Sequence, residues 1–552
     1  MKSFRLRAAL AMVFLSAFQL AYTQPDTSRI TRRKVAAAQD LVGLDFTKTE
    51  EDSMLGVLKE YLTNYDSLRK FSIPNNLAPA LIFDPIPTNF RSKARARRMQ
   101  LGSMGQVKIP AHMEDLAFYS VRELGELVRT RQISSTALTR FFIARLKKYN
   151  SMLLNMVNLA VERALDEAAR ADAEMAAGKY RGPLHGIPYG AKDILAAKGY
   201  PTTWGSAIFK DQMIDEDAAV VKKLSEAGAV LVAKMTVGEF AWGDVWFGGM
   251  TRNPWDAAQG SSGSSAGSAS AVAAGCLPFA IGTETWGSIV SPSTRCGTTG
   301  LRPTFGRVSR TGAMALSWSM DKIGPIGRTV EDCAIVFDAI RGPDGQDRAV
   351  RDYPFGYSAN IDLKKLRIGY LKKDMEKDTS NASFNTSVLE TFAKMGVSLH
   401  EIELPKLAIF PMSFILTAEA AAAFDELTRT NQDDRMVRQI KDAWPNYFRA
   451  SRFIPAVEYI QANRVRRMVI DEMEKLMDSI DVYIAPPFEG DNLLLTNLTG
   501  HPCVVLPNGF DKEGHPTSVT FIGRLYDEAT LLAVAKTYQD ATDFHKRHPK
   551  GF

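Results

Sequence analysis

The chain has 552 residues, of which 45% are hydrophobic and 24% are charged, and its formal net charge is +6 at pH 7. This length allows a large buried core and more than one domain. The charge is mild for the size, and the densest basic cluster, residues 91–98, has no interleaved aromatic residue, which argues against a nucleic-acid-binding protein.

The N-terminus has the pattern of a secretory signal peptide. Three basic residues precede an apolar stretch over residues 8–20, namely Lys2, Arg5 and Arg7. A basic region before a short apolar one is typical of export signals, and the stretch is too short for a comfortable permanent span. We predict a signal peptide over residues 1–23, cleaved after Thr23, and therefore a periplasmic or secreted protein without an integral membrane span. An uncleaved anchor is the alternative.

Residues 24–112 are polar and basic, and prolines accumulate toward their end. Within them, several apolar residues recur at helical spacing. These are Leu55, Val57, Leu58, Tyr61 and Leu62. We predict a helical N-terminal extension followed by a wrapping loop. Its role is open between capping the site, mediating dimerisation and shielding an edge, so that a monomer and a homodimer are both expected possibilities.

Helical and strand-like segments alternate from Glu114 onward. Ser120 and Glu123 have the spacing of a capping box, and further helices are predicted from about Ser134 and over residues 161–177. Four short runs are typical of strands: residues 230–232, 366–370, 482–485 and 504–506. Such alternation predicts an α/β protein whose sheet is covered by helices on both faces.

The four cysteines have neither the spacing of a disulfide framework nor that of a metal site. They are Cys276, Cys296, Cys333 and Cys503, each among apolar or small residues. The sequence has no CxxC pair and no HExxH motif. We expect buried thiols, with one disulfide left open, and no bound metal.

Three segments carry residues with chemical potential. Residues 186–193 place Lys192 at the end of an apolar, strand-like run, and residues 260–267 contain four serines and three glycines. A flexible linker is the ordinary explanation of such a tract, but a helix-forming alanine-rich run follows it directly, so we predict a closely packed functional backbone. The third segment, residues 282–292, brings several backbone amides up to Ser288.

Taken together, these motifs resemble the amidase-signature family. The family pattern has a GIPxxxKD lysine, a GSS(G/A)GS loop and a GT(D/E)TxGSI segment, and matching segments continue to about residue 545. The resemblance implies one large amidase-signature catalytic domain over residues 113–552, built on a mixed, twisted sheet. It also implies a catalytic triad formed by the nucleophile Ser288, the cis serine Ser264 and the base Lys192.

The resemblance further implies a cis peptide bond before Ser264 and an oxyanion hole formed by the backbone N–H groups of Thr285, Trp286 and Gly287. Elementary chemistry agrees, because a serine hydroxyl needs a base and no histidine motif supplies one. Burial disfavours an ammonium ion and so lowers the pKa of a lysine, although the neighbouring Asp193 would oppose this.

The implied activity is hydrolysis of the C–N bond of a linear amide through an acyl-enzyme, without metal or cofactor, on a small-molecule or peptide amide. Trp286 stands where many family members have glycine, and it is interpreted either as a core aromatic or as a substrate-binding wall of the pocket. The TETWGSIV version of the motif resembles the branch that contains peptide amidases rather than the glutaminase component of glutamyl-tRNA amidotransferase.

Two other nucleophile motifs occur. Residues 263–267 fit the GxSxG elbow with Ser265 as nucleophile, and Ser319 with Lys322 fits SxxK, but the HGGG and KTG segments that accompany these motifs are absent. Two alternative functions stay open: a secreted binding protein on a catalytically inactive amidase fold, and a glutaminase component like that of glutamyl-tRNA amidotransferase. The intact triad argues against the first, and the export signal argues against the second.

Overall fold

The computed structural model describes residues 30–88 and 90–552, which divide into two compact units. One unit holds residues 30–74 together with residues 453–455, and the other holds residues 75–452 and 456–552. The predicted signal peptide over residues 1–23 lies outside the described residues.

The first unit contains two helices, α1 (Arg32–Val42) and α2 (Lys48–Leu68). Thr47 and Glu50 form a capping box at the start of α2, in which each side chain accepts the other residue's backbone N–H. Gly43 ends α1 in the left-handed conformation that favours glycine, with φ of 66°. The apolar residues with helical spacing all lie in α2, so the predicted helical extension is confirmed.

The second unit is built from strands and helices that alternate along the chain. In its described residues the strands are β1 (Met156–Leu159), β2 (Pro188–Lys192), β3 (Val230–Met235), β4 (Val245–Trp246), β5 (Gly249–Met250), β6 (Arg252–Asn253), β7 (Asp256–Gly260), β8 (Phe279–Glu284), β9 (Thr299–Arg302), β10 (Lys322–Gly327), β11 (Ile368–Tyr370), β12 (Leu399–Glu401), β13 (Val482–Ala485), β14 (Cys503–Phe510) and β15 (Pro516–Gly523). All four runs predicted as strands lie in or overlap these elements.

The helices of the second unit continue the numbering. They are α3 (Val121–Arg129), α4 (Ser135–Leu153), α5 (Val161–Ala176), α6 (Ala219–Glu226), α7 (Ala266–Ala273), α8 (Val290–Cys296), α9 (Val330–Ile340), α10 (Lys372–Lys377), α11 (Ala382–Lys394), α12 (Phe414–Ala423), α13 (Asp425–Arg429), α14 (Trp444–Ala450), α15 (Ala456–Ser479), α16 (Asn492–Thr499) and α17 (Glu528–Thr542). Ser120 and Glu123 form the predicted capping box of α3. Among the described residues, no helix is both long and apolar enough to cross a membrane.

Eleven strands form one mixed sheet in the order β1-β3-β2-β8-β10-β9-β14-β15-β13-β11-β12. Strands β2 and β8 are parallel neighbours, with Gly190 opposite Ala280 and Ala191 opposite Ile281. Strand β10 runs antiparallel to β8, with Lys322 opposite Glu284. The predicted α/β fold with a large mixed sheet is therefore confirmed, and the order brings the carboxyl ends of β2 and β8 to one edge, where ligands bind in open α/β sheets.

The described residues between 75 and 112 form neither helix nor strand and follow the surface of the second unit, as the predicted wrapping loop requires. The Asn75 side-chain amide donates to the Ala315 carbonyl at 2.9 Å, and the Gly102 N–H donates to Glu331 at 2.7 Å. Such contacts are needed because an irregular segment must satisfy its polar groups without a ladder of its own.

The Gly/Ser tract is closely packed, as predicted, and is not a linker. It leads into α7, all eight residues of which are buried. Small side chains allow this approach: a Cβ on Gly267 would lie 2.2 Å from the Asn155 carbonyl oxygen. All four cysteine thiols are free and buried, which agrees with the expected buried thiols.

Candidate active site

The end of β2, the Gly/Ser tract and the segment after β8 meet at one edge of the sheet. Lys192 is the last residue of β2, and its side chain is fully buried. Its Nζ donates to Ser264 Oγ at 2.8 Å and to Ser265 Oγ at 3.1 Å. Thr283 on β8 accepts two further bonds from the same nitrogen, at 2.7 Å through Oγ1 and at 3.3 Å through its carbonyl oxygen.

The surroundings of Lys192 disfavour its charged form. Burial lowers the pKa of Lys192 to about 7, and the negative charges of Asp321 and Glu284 oppose that shift. The hydrogen-bond partners are hydroxyl and carbonyl groups, which neutral amines also satisfy. A large fraction of Lys192 is consequently neutral near pH 7, as a general base requires.

Asp193 does not act on Lys192 in the way its position in the sequence suggested. Its carboxylate forms a fully buried ion pair with Lys234, whose Nζ lies 2.8 Å from Asp193 Oδ1. The other oxygen accepts the Thr203 N–H at 3.0 Å. Because Lys234 neutralises this charge, the predicted opposition to a lowered pKa of Lys192 is largely removed.

The peptide bond between Gly263 and Ser264 is cis, as the resemblance implied. A side chain at position 263 has no room, because a Cβ there would lie 1.9 Å from the Gly243 carbonyl oxygen. Ser264 is almost fully buried, with 1% of its surface exposed. The residue is therefore held in the interior with its hydroxyl beside Lys192 Nζ.

Ser265 is occupied by structural contacts. Its hydroxyl donates to the Thr283 carbonyl at 3.0 Å and accepts the Thr283 N–H at 3.1 Å. Its own backbone N–H donates to the Ser288 carbonyl at 3.1 Å and so joins the Gly/Ser tract to the third segment. Ser265 has no exposed surface, which does not suit the nucleophile of a GxSxG elbow.

Ser288 lies between β8 and α8 and is only half-buried. The preceding Gly287 has φ of 87°, a left-handed conformation that only glycine adopts without strain. Glu284 anchors the far side of the turn, because one of its oxygens accepts the N–H groups of Ile289 at 2.8 Å and Val290 at 3.0 Å. The backbone N–H groups of residues 285–287 therefore lie in a turn held at both ends.

Glu284 is the centre of a buried polar cluster. Its other oxygen accepts from Arg302 at 2.7 Å and from the Asn497 side-chain amide at 2.9 Å. Burial raises the pKa of Glu284, but the Arg302 charge, the backbone amides and Asn497 outweigh it and hold the pKa at about 2. The ionised carboxylate thus fixes the turn that carries Ser288.

Trp286 is not a core aromatic residue. Its side chain is 38% exposed, and its ring lies edge-on to Phe410 with 6.5 Å between ring centroids. Phe410 is itself 64% exposed, while its neighbour Ile409 is buried and anchors the segment. Two exposed aromatic rings therefore lie together two residues away from Ser288, which removes the core interpretation of Trp286.

The SxxK match is accounted for by structural contacts. Ser319 Oγ donates to Glu419 at 2.7 Å and accepts from Arg466 at 2.8 Å. Lys322 is buried, and its Nζ donates to the Met320 carbonyl oxygen. Ser319 thus belongs to a buried network with Glu419 and Arg466, and its hydroxyl is not bonded to Lys322.

Several residues around the site were not singled out from the sequence. They are Thr283, Asp321, Arg302, Asn497 and Lys234. Four of them lie in or next to segments that match the family pattern, but their partners come from other strands. The signal that a sequence offers for them is therefore position within a motif, without any indication of role.

Replacement of Glu284 by glutamine should destabilise the protein strongly. The change leaves the fully buried Arg302 guanidinium without its ion-pair partner, and breaking such a pair from one side costs about 3–5 kcal/mol. We expect a lower urea midpoint of unfolding, followed by far-UV circular dichroism.

The matched control for Glu284→Gln is Glu390→Gln on α11. Glu390 is 60% exposed and 3.9 Å from Lys394, and exposed pairs of this kind contribute at most about 1 kcal/mol. The Glu390→Gln midpoint should match that of the unmodified protein. Equal midpoints for both variants would contradict the structural role given to Glu284.

The α/β sheet and the buried contact between a lysine and a serine at its edge define a hydrolase. A sequence model described as Amidase matches residues 137–532, well over half of the chain. The chain therefore belongs to the amidase family, the amidase-signature hydrolases that act on C–N bonds.

Among similar proteins, the A-type component of the glutamyl-tRNA(Gln) amidotransferase of Acinetobacter baumannii (strain AYE) is 34% identical over 485 residues, which cover 79% of this chain and 98% of that protein. The native peptide amidase of Stenotrophomonas maltophilia superposes with a TM-score of 0.71 at 29% identity, over 78% of this chain and 98% of that one. An amidase family protein from Bacillus anthracis strain Ames gives a TM-score of 0.72 at 26% identity, over 80% and 93% of the two chains.

Proposed function

We propose that the protein is an exported amidase that hydrolyses a carboxylic amide through an acyl-enzyme on Ser288. The observation that carries this proposal is the contact of 2.8 Å between Lys192 Nζ and Ser264 Oγ, sealed from solvent beside the half-buried Ser288. The bond from the Ser265 N–H to the Ser288 carbonyl keeps the two serine segments together. A buried base beneath an accessible nucleophile suits covalent catalysis.

In the first half of the proposed reaction, neutral Lys192 accepts the proton of Ser264, which accepts the proton of Ser288. Ser288 Oγ attacks the amide carbonyl carbon, and the negative charge on the carbonyl oxygen is stabilised by the N–H groups of Thr285, Trp286 and Gly287. As the C–N bond breaks, Ser264 donates a proton to the leaving nitrogen and regains one from Lys192. Ammonia or an amine leaves, and the acyl group remains on Ser288.

In the second half, a water molecule takes the place of the leaving group. Lys192 and Ser264 accept its proton, and its oxygen attacks the ester carbon. The ester bond then breaks, Ser288 recovers its proton through Ser264, and a carboxylate product is released. The cycle ends with all three side chains in their starting protonation states.

The substrate branch we propose is that of the peptide amidases. Support comes from the TETWGSIV motif, which carries Trp286 and Val290, and from the signal-like N-terminus. The competing candidate is a glutaminase component like that of the tRNA amidotransferase, favoured by 34% identity over 485 residues. An N-terminus beginning at Gln24 on the exported protein supports our proposal, whereas a cytoplasmic protein with Met1 in place would support the competing candidate.

The direct test of the activity is a panel of amides of different classes. The panel contains small primary amides, free glutamine, peptide amides and N-acyl amines, with ammonia or amine release as the readout. Release from peptide amides with little release from glutamine supports the proposed branch, and the reverse order supports a glutaminase. No release from any member would contradict an amidase and favour a binding protein on an inactive fold.

We further propose that Trp286 and Phe410 form one wall of the acyl pocket. An acyl carbon bonded to Ser288 must lie within a few ångströms of the turn that carries Trp286, so a bulky group on that carbon meets the exposed ring. The wall narrows the site, and small or flat acyl groups are then preferred.

Replacement of Trp286 by alanine should widen the acyl specificity. Because removing a ring from a pocket wall changes discrimination by about 1–3 kcal/mol, we expect the ratio of kcat/KM for bulky over small acyl groups to rise about tenfold or more. Tyr180→Ala, which removes an aromatic residue with 43% exposure elsewhere on the molecule, is the control and should leave the ratio unchanged. A uniform loss for all acyl groups in Trp286→Ala would count against a wall.

A further inference from the structure

We propose that Asp321 is a positioning residue of this active site, which both fixes the Thr285 end of the oxyanion turn and supplies the uncompensated negative charge beside the base. This inference rests on the proposed function, because the oxyanion turn and the base are roles that the function assigns. Asp321 itself is placed away from the reacting atoms and acts through Thr285 and Lys192.

The topology places Asp321 beside the turn. Lys322 opens strand β10 and lies opposite Glu284, the last residue of β8, so the residues just beyond that pair, Asp321 and Thr285, are brought together. Thr285 Oγ1 donates to Asp321 Oδ1 at 2.6 Å. A bond of this length from a hydroxyl to a carboxylate is a strong, charge-assisted one.

Asp321 is itself immobilised by the segment that precedes it. Its Oδ2 accepts the backbone N–H groups of Leu316 at 2.8 Å and Ser317 at 2.9 Å. Ser317 also donates its hydroxyl to the buried Glu419 at 2.7 Å. Thr285 is thus tied to a rigid part of the molecule, and its peptide N–H, one of the proposed oxyanion donors, keeps a fixed direction.

The carboxylates around Lys192 differ in how their charge is compensated. Glu284 is paired with Arg302 at 2.7 Å, and Asp193 is paired with Lys234 at 2.8 Å. The three hydrogen bonds of Asp321, by contrast, come from a hydroxyl and two amides, which are neutral donors. Asp321 therefore contributes a negative charge that no ion pair cancels.

The other charged groups near Asp321 do not change this conclusion. Arg310 acts on it at longer range but is bound to Asp347 at 2.9 Å, and burial lowers the pKa of Lys322 well below its ordinary value. Burial also raises the pKa of Asp321, while Thr285 and the two amides oppose the rise. The ionised form is the one that all three donors favour.

The sign of the effect on the base follows directly. A negative charge near Lys192 stabilises its ammonium form and so raises its pKa, in opposition to burial. Without that charge the lysine titrates at lower pH and is a weaker base. Asp321 thereby keeps Lys192 basic enough to accept the Ser264 proton at neutral pH.

Two variants separate the two roles. Asp321→Asn removes the charge and keeps the shape, whereas Thr285→Val keeps the charge and removes the hydroxyl that Asp321 binds. In Asp321→Asn we expect the acid limb of kcat/KM to move to lower pH by about 0.5 to 1 unit and the plateau to fall about tenfold. In Thr285→Val we expect the same fall of the plateau with the limb in its original place.

A merely structural role would lower both plateaus without moving either limb, and that result would overturn the electrostatic part. An unchanged plateau in Thr285→Val would overturn the positioning part, and this variant decides it even where Asp321→Asn does not fold. A fluorophosphonate probe separates this inference from the proposed function: labelling of Ser288 in Asp321→Asn with an unmoved limb overturns the inference alone, whereas an unlabelled Ser288 in the unmodified protein overturns the function.

Discussion

Replacement of Ser288 by alanine should lower kcat/KM for amide hydrolysis by at least about 10⁴-fold, because the acyl-enzyme can no longer form and only binding and oxyanion stabilisation remain. Ser288 is half-buried, so alanine leaves no deeply buried polar group without a partner and the fold should persist. The measurement is steady-state release of ammonia or amine from the best amide in the panel, with circular dichroism as the check on folding.

Ser291→Ala is the matched control for this prediction. Ser291 lies three residues along the same segment and shares a hydrogen bond of 2.7 Å with Ser262. Its loss should reduce kcat/KM only a few-fold, since its hydroxyl carries no step of the reaction. Comparable rates for Ser288→Ala and Ser291→Ala would contradict the assignment of the nucleophile.

Replacement of Lys192 by methionine should lower kcat/KM by about 10³-fold or more. Methionine matches the length of the lysine side chain but cannot accept a proton, and a positioned general base contributes about 10²–10⁴-fold. In the unmodified protein, kcat/KM should fall as the pH drops through about 7, because protonation of Lys192 removes the base. The residual activity of Lys192→Met should lack that acid limb.

The control is Lys210→Met, which changes a lysine with 60% side-chain exposure. Both its rate and its pH profile should match those of the unmodified protein. The role of Lys192 would be contradicted by a Lys192→Met profile that keeps the acid limb near pH 7. In that event the limb would belong to another titrating group.

Local sequence signals predicted much of the fold. Ser120 and Glu123 mark the start of α3 because a capping box involves residues three apart, and the four strand-like runs have enough β-forming residues to be recognised alone. The alternation of such elements was sufficient to predict the α/β class. The division of the chain between residues 74 and 75, by contrast, depends on contacts that no local pattern reports.

Contacts across the sheet could not be predicted in this way. The pairs Glu284–Arg302, Asp193–Lys234 and Thr285–Asp321 each join residues from different segments, and which segments are neighbours depends on the strand order. That order is not sequential, since β2 lies between β3 and β8. Residue identity alone suggested that Asp193 would oppose a low pKa of Lys192, and the partner from β3 reverses that expectation.

The orientation of Trp286 also required the structure. An aromatic residue in a motif is equally suited to a core or to a pocket wall, because both environments are partly apolar. Its 38% exposure and the adjacent ring of Phe410 follow from the turn held by Glu284 and from a segment more than a hundred residues away.

The most direct test of the proposed triad is to find which serine reacts with a fluorophosphonate probe. The purified protein is labelled and digested, and the modified peptide is sequenced by mass spectrometry. We predict a single modified residue, Ser288, and loss of labelling in Ser288→Ala. Modification of Ser265, or labelling that persists in Ser288→Ala, would contradict the proposed triad.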